Sequence, residues 1–464
     1  MSRLPPGPRD SLFGFRLAGR FRRNPLKFLT NLVRDYGDIA MFPLGPYRGC
    51  LVNHPDLIRD VLVTHRSSFP KLERHLRTIR SFSGDNLFVS EGENWLRQRR
   101  MVQPAFQTRC FDGYAQATAL QTERLLQGWS DGAEFDLVPA MAQLSLVSIG
   151  QALFSVDLSD QLELYGRALQ IHSETLRDEF RAAFVLPDWF PTAAKRRKRW
   201  AASCLRDLIG RMIRERRATG HDHGDVLSIL LSAVDEQRDG GRITDQHAME
   251  QATILFVAGQ DDITAALSWC CYLLAQHPAV EDRFRTELET KLAGRQPVYA
   301  DIARLPYTEM IIKEALRMYP PTWTLVPRCP TQEVELGDYR IPRGTWVFVS
   351  PYATHHDPRF FPDPERFDPD RFAPDRQQAM SQFAYIPFGG GPRICIGNHF
   401  TLTLLAMALV VIAQRFRITL CDDPATIQPD PSLALRPRRG MRVRLHPAGG
   451  VLARASRAAS RASA

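Results

Sequence analysis

The sequence predicts a mainly α-helical protein with a small β region. Helical periodicity runs for about 200 residues from Glu91, with short polar breaks between the segments. Two strand-like segments, "DIAMFPL" and "YRGCLVN", precede it with the spacing of a hairpin. Prolines are densest from Pro320 to Pro392, which indicates an extended meander with a few further strands. We expect one large domain over 1–447 and a low-complexity, disordered tail over 448–464.

Composition narrows the class of protein. The 464 residues are 44% hydrophobic and 24% charged, as in an ordinary soluble globular protein. The net charge of +9 comes without a nucleic-acid-binding motif, so it indicates a basic face for an acidic protein partner instead. The eight cysteines are scattered and form no CxxC pair, which argues against a zinc site.

Localisation follows from what the chain lacks. No apolar run reaches the roughly 18 residues of a membrane span, and no signal-peptide core opens the chain. We therefore expect a cytoplasmic monomer that binds no nucleic acid. The apolar-basic segment from Leu12 to Arg23 predicts a first amphipathic helix, with a membrane-surface segment as the alternative.

The longest predicted helix runs from the N-cap Thr244 to Gln276, where His277-Pro278 stops it. A helix of this length spans roughly 50 Å and is apolar on most sides, as a core helix is. Its middle, "AGQDD", is polar. Two acidic residues inside a buried helix are costly unless they are used or paired.

The segment "FGGGPRICIGNHF" carries the strongest chemical signal. It fixes Phe388, Gly391, Arg393, Cys395 and Gly397 in the pattern F-x-x-G-x-R-x-C-x-G. Glycines let the backbone bend around a planar ligand, and amide donors with a helix N-terminus stabilise a thiolate. The pattern indicates a cysteine that ligates heme iron.

On these residues the chain resembles the cytochrome P450 family, from "PPGP" at Pro5–Pro8 to about Pro447. The resemblance implies the cytochrome P450 fold, heme b (iron protoporphyrin IX) and Cys395 as the iron ligand. It also implies a monooxygenase that inserts one oxygen atom of O2 into a mid-sized apolar substrate, such as a terpenoid, fatty acid or macrolide. Electrons would come from a ferredoxin or flavodoxin with its reductase, because the chain has no flavin, nicotinamide or iron–sulfur fingerprint.

Two further motifs match the family pattern. In "KEALRMYPP", Glu314 and Arg317 share a helix face, and the resemblance implies that Arg366 of "FPDPERFDPDRF" completes a structural Glu-Arg-Arg cluster. In "ENWLRQRR", Trp95 and Arg99 share a helix face. The resemblance implies that these two, with Arg328 and Arg393, contact the heme propionates.

The long helix departs from the family pattern. Ala258, Gly259 and Asp261 match it, and the resemblance implies that Gly259 lets the helix open above the heme, but Asp262 replaces the usual threonine. Asp261 and Asp262 are the candidate catalytic residues. Helical spacing places Asp262 on the same stripe as Ala258. Three roles for Asp262 are open: proton delivery, binding of a polar group of the substrate, or a purely structural carboxylate.

The substrate pocket is expected in the segment Thr322–Val326, in a loop from Leu72 to Val89, and in an aromatic stretch around Phe180, Trp189 and Phe190. The candidate substrate contacts are Phe88, Phe184, Leu255, Trp323 and Leu325. Two alternative functions remain: a peroxide-driven or non-oxygenating heme-thiolate enzyme, and a heme sensor without turnover.

Overall fold

A computed structural model of the chain describes residues 3–10, 14–182, 184–235 and 241–449. Its helices confirm the mainly α-helical prediction. They are α1 (Phe15–Arg23), α2 (Pro25–Tyr36), α3 (Pro55–Arg59), α4 (Glu73–Ser83), α5 (Gly92–Val102), α6 (Phe111–Gln127), α7 (Leu137–Phe154), α8 (Leu162–Arg181), α9 (Ala193–Thr219), α10 (Val226–Ser232), α11 (Asp245–Gln276), α12 (Pro278–Leu292), α13 (Tyr299–Ile302), α14 (Pro306–Met318), α15 (Pro351–His355), α16 (Pro374–Ala379) and α17 (Asn398–Arg415).

The strands form small sheets of two or three strands each in the described part of the chain. They are β1 (Ile39–Leu44), β2 (Tyr47–Val52), β3 (Glu134–Asp136), β4 (Val234–Asp235), β5 (Gly241–Arg242), β6 (Val334–Leu336), β7 (Tyr339–Ile341), β8 (Trp346–Val349), β9 (Phe416–Leu420), β10 (Pro429–Pro431), β11 (Leu435–Pro437) and β12 (Arg442–Pro447). The predicted hairpin is β1–β2, paired from Ile39 with Val52 to Leu44 with Tyr47, and β8 joins it in parallel. A second three-stranded sheet has the order β3-β12-β9.

The long helix α11 runs through the centre of the core. Its predicted N-cap is confirmed, because the side chain of Thr244 accepts a hydrogen bond from the His247 amide at 3.2 Å. It ends where predicted, since Pro278 begins the next helix. The helix packs against α7, α9, α14 and α17, which explains why most of its faces are apolar.

Strand β11 is fixed to this helix by hydrogen bonds. The Trp269 indole of α11 donates to the Leu435 carbonyl at 2.8 Å, and the Leu435 amide donates to the Pro321 carbonyl at 2.9 Å. Trp269 is fully buried, so this connection is held by packing as well. It positions both Arg436 and the segment after Pro321 beside α11.

Two helices, α7 and α17, are long and apolar enough to cross a membrane by length and composition, which the sequence prediction did not anticipate. In each, 67% of the most apolar 18-residue window is buried inside the fold, as in a core helix. Of the predicted tail, only 448 and 449 belong to the described residues, and the prediction for 450–464 lies outside them.

The Glu-Arg-Arg cluster forms, but with a different third arginine from the predicted one. Arg317 donates to Glu314 at 2.7 Å, and both side chains are fully buried. Arg371, on a 3₁₀ turn over Pro369–Phe372, reaches the same carboxylate at 3.3 Å. Arg366 is exposed and contributes only its carbonyl, which accepts from Arg317 at 3.4 Å. The prediction of Arg366 was wrong because the turn against α14 presents Arg371 to Glu314.

This arrangement gives a matched pair of variants. Arg371→Ala removes one of two cationic partners of a buried carboxylate, and a hydrogen bond to a charged group contributes about 2 kcal/mol, so we expect a clear loss of unfolding free energy. Arg366→Ala removes an exposed side chain and should change stability by less than about 0.5 kcal/mol. Urea denaturation of the two variants measures both values. Equal losses, or a larger loss for Arg366→Ala, would contradict the assignment.

Candidate active site

A cysteine lies at the end of a glycine-rich turn and faces a large internal cavity. Cys395 precedes α17, and its amide donates to the Phe388 carbonyl at 3.0 Å, which closes the turn. Gly391 has a φ of +69°, and a Cβ there would lie 2.7 Å from the Leu62 carbonyl oxygen, so only glycine fits. The thiol therefore points into the cavity from a fixed backbone.

The thiol is electrostatically coupled to the helix that faces it. Burial raises the pKa of Cys395 to about 11, an amide hydrogen bond from Gly397 opposes that rise, and the charge of Asp262 adds to it. Ala258, Gly259, Asp261 and Asp262 line the same cavity from α11. The sequence-predicted residues of the two motifs are thus brought together in the lining of one cavity.

The two adjacent acids of α11 have different partners. Asp261 accepts a hydrogen bond from Ser173 of α8 and forms an ion pair with Arg436 of β11 at 3.3 Å. Asp262 has a Thr322 hydroxyl as its hydrogen-bonding neighbour. Asp261 is therefore the acidic partner of an ion pair with Arg436.

Asp262, in contrast, has a strongly raised pKa. Burial and the neighbouring charge of Asp261 raise its pKa to about 7, against smaller opposing effects of Arg436 and Thr322. A carboxyl with such a pKa exchanges protons near neutral pH. Thr264, two positions further along, is fully buried and donates to the Gln260 carbonyl at 2.7 Å, so it does not take the place of the missing alcohol.

A cluster of cations lines one side of the cavity and is short of negative charge. The cluster consists of Lys71, Arg99, Arg328 and Arg393. Glu91 is the acid that contacts it, through an ion pair with Arg393. Burial and the charges of Arg393 and Arg328 hold the pKa of Lys71 well below its usual range. Burial lowers the pKa of Arg328 to about 10, and its buried Nε has no hydrogen-bond partner among the described residues.

Trp95 organises the part of this cluster nearest the cysteine. The guanidinium of Arg393 lies 4.5 Å from the centre of the indole ring, and that of Arg99 lies 5.9 Å from it. Arg99 also donates to the Ile394 carbonyl at 3.0 Å. The two arginines are thereby fixed directly beside Cys395.

These features fit heme. The lining of a cavity of about 690 Å³ contains a cysteine, a small-residue helix segment and four cations, of which Arg393 is paired with Glu91. The two propionates of heme would supply the negative charge that the cations lack. Every predicted heme contact lines this cavity: Trp95, Arg99, Ala258, Gly259, Arg328, Phe388, Arg393 and Gly397.

Four of the five predicted substrate contacts also line the cavity, namely Phe88, Leu255, Trp323 and Leu325. Phe184 does not: it is 75% exposed, beyond the end of α8, so its prediction was wrong. The neighbouring Trp189 and Phe190 are exposed as well, and Phe180 is the aromatic residue of this stretch that faces the cavity. The predicted loop from Leu72 to Val89 is mostly the helix α4.

Several site residues had no signal in the sequence. Lys71, Glu91, Ser173 and Arg436 lie in no motif, and they meet the site through tertiary contacts. Lys71 and Glu91 flank the predicted Leu72–Val89 segment, and this proximity is the one sequence signal that places them near the site. Nothing local marks Arg436 as a partner of Asp261.

Comparison with known proteins agrees with this geometry. The family model "Cytochrome P450" matches residues 5–443. The chain is 36% identical to cyclooctat-9-en-7-ol 5-monooxygenase of Streptomyces melanosporofaciens, over 85% of each chain. It is 33% identical to pentalenene oxygenase of Streptomyces avermitilis, over 92% of this chain and 94% of the relative.

A solved structure extends the agreement to the fold. The crystal structure of the cytochrome P450DA heme domain superposes with a TM-score of 0.87 at 26% identity, covering 96% of this chain and 98% of that one. The cysteine turn, the facing helix and the cationic side of the cavity lie within the matched residues. The chain belongs to the cytochrome P450 family.

Proposed function

We propose that this cytochrome P450 monooxygenase inserts one oxygen atom of O2 into a terpenoid and that Asp262 delivers the protons the reaction consumes. The presence of Asp262 and Cys395 in the lining of one cavity, close enough for the charge of Asp262 to act on the thiol, carries the proposal. The form of the cofactor that we propose is heme b, held at Cys395.

The names of two relatives support a terpenoid substrate. One is named for a 5-monooxygenation of cyclooctat-9-en-7-ol and the other for oxygenation of pentalenene, and both substrates are terpenoids. The apolar side chains of Leu255, Leu325 and Trp323 suit such a substrate.

The residues of the chain have separate tasks. Bound heme, ligated by a thiolate, supplies the activation of O2. Cys395 provides that thiolate from a rigid turn, and the cations Arg99, Arg328 and Arg393 orient the propionates. Ala258 leaves room in the cavity because its side chain is small, and Gly259 lets α11 pack closely on α7, since a Cβ there would lie 3.2 Å from Ile149.

Asp262 is placed to move a proton, whereas Asp261 is held in its ion pair. A donor works best when its pKa lies near the working pH, and that of Asp262 is about 7. Thr322, whose hydroxyl lies near enough to Asp262 to lower its pKa, is an alcohol of the cavity lining that can relay the proton.

Electrons come from a separate redox partner, which we propose is a ferredoxin or flavodoxin with its reductase, acting on a monomer in the cytoplasm. Arg100 and Arg109 are exposed on and just after α5, the helix that carries Trp95 and Arg99, and they suit an acidic partner.

The direct test of the function is turnover of a panel of terpenes and fatty acids with ¹⁸O2, NAD(P)H and a surrogate ferredoxin with its reductase. We expect one labelled oxygen atom in a terpenoid product, dependent on the partner. Turnover with peroxide alone, or heme binding without any product, would contradict the proposal.

The role of Asp262 predicts a specific defect in the variant Asp262→Asn. We expect the fraction of NAD(P)H electrons that appear in product to fall by at least about 10-fold, because the acid that supplies the proton is gone. Substrate affinity should stay within about 2-fold, since the amide has the same size. If affinity falls and the electron yield does not, Asp262 binds substrate instead.

The fraction of NAD(P)H electrons that appear in product should depend on pH, and Arg436 should set the midpoint of that dependence. Only protonated Asp262 donates, so the yield of wild type should fall as pH rises through about 7. Arg436 lowers the pKa of Asp262, so Arg436→Gln should move the midpoint to higher pH. Titration of product per NAD(P)H in both proteins measures the shift. An unchanged or lower midpoint in Arg436→Gln would contradict the prediction.

A further inference from the structure

The wall of the cavity formed by α4 and α8 contains two histidines. His75 of α4 lies 4.5 Å, ring centre to ring centre, from Phe180 of α8. His172 of α8 lies 4.3 Å from Phe82 of α4 in the same way. Positions 75 and 82 are two helical turns apart, so the two imidazoles occupy places roughly 10 Å apart along this wall.

Neither imidazole has a hydrogen-bond partner in the described part of the chain. His75 is 8% and His172 is 4% exposed, and both line the cavity. The buried Nδ1 of His75 has no hydrogen-bond partner within residues 3–10, 14–182, 184–235 and 241–449. Buried polar groups of a folded protein are nearly always hydrogen-bonded, so an unpartnered pair that faces a cavity indicates a polar group of a ligand.

Both rings are neutral at physiological pH. Burial lowers the pKa of each to about 4, and the nearby Arg74 and Lys198 act in the same direction on His75 and His172 respectively. A neutral imidazole has one donor and one acceptor nitrogen, which is the pattern that matches a hydroxyl group. An anion would gain little from a neutral ring.

We propose that His75 and His172 form a polar subsite that binds a hydroxyl or carbonyl oxygen of the substrate. The inference rests on the proposed function and narrows its substrate to a terpenoid that already carries oxygen. His172 adjoins Ser173, which bonds Asp261, so it lies at the catalytic end of the wall. His75, beside Phe180 and 6.1 Å from Trp346, lies further along it.

This subsite defines a place in a reaction sequence. A hydrocarbon leaves both imidazoles unpaired in an apolar cavity, whereas an alcohol pairs at least one of them. The enzyme that supplies the substrate must therefore already have introduced oxygen, by oxygenation or by capture of water. The present enzyme adds a further oxygen atom to a molecule anchored by the earlier one.

The test compares dissociation constants of a terpene alcohol and its hydrocarbon, using cedrol with cedrene and farnesol with farnesene. The measured quantity is the ratio of the hydrocarbon constant to the alcohol constant, from equilibrium titration of the purified holoenzyme. The double variant His75→Phe/His172→Phe should lower this ratio by about 5- to 10-fold, the effect of one lost hydrogen bond. Each single variant shows which ring contributes.

Leu176→Val is the matched control on the same wall, because Leu176 of α8 lines the cavity between the positions of His172 and Phe180. It removes apolar contact and should weaken both ligands alike, so the ratio stays within about 2-fold of wild type. The proposal is overturned if the double variant keeps the wild-type ratio, or if wild type binds neither alcohol. A third outcome separates the two proposals. If the enzyme oxidises terpene hydrocarbons with ¹⁸O2 and the double variant keeps the wild-type ratio, this inference is wrong and the proposed function is retained.

Discussion

Two adjacent carboxylates inside a buried helix are the constraint on which this active site depends. Charging both would require two desolvated negative charges side by side, which is costly. The fold resolves the conflict by giving Asp261 a cation and a hydroxyl donor, Arg436 and Ser173. Asp262 lines the cavity and has a raised pKa. Its affinity for a proton is high partly because the neighbouring Asp261 carries a negative charge.

The ion pair that separates the roles of Asp261 and Asp262 depends on contacts far from these two residues. Arg436 reaches Asp261 because the Trp269 indole fixes β11 against α11 at Leu435. The same strand holds the Pro321 carbonyl and hence the segment with Thr322. The two hydrogen bonds through Leu435 therefore position both Arg436, beside Asp261, and Thr322, beside Asp262. Loss of these hydrogen bonds should change the surroundings of both acids together.

The sequence predicted what local chemistry determines. The cap at Thr244, the hairpin β1–β2 and the turn around Cys395 follow from spacing, glycine conformation and helix signals within a few residues, and the structure has all three. The choice of Arg371 over Arg366 depends on which residue a 3₁₀ turn presents to Glu314, and the sequence does not encode that locally. Phe184 failed for a related reason, because an aromatic residue after a helix can face either the cavity or solvent.

The protonation state of Asp262 is the central claim, and infrared spectroscopy of its carboxyl group tests it most directly. The carbonyl stretch of a protonated carboxylic acid is separate from that of a carboxylate, so a pH titration of the purified enzyme follows the group without turnover. In wild type we predict a carboxyl signal that disappears as pH rises through about 7. The same signal should disappear at lower pH in Asp261→Asn, because the charge that raises the pKa of Asp262 is gone. Asp262→Asn should lack this signal at every pH. A wild-type spectrum with no carboxyl titrating near neutral pH, or one whose titrating signal survives in Asp262→Asn, would contradict the account.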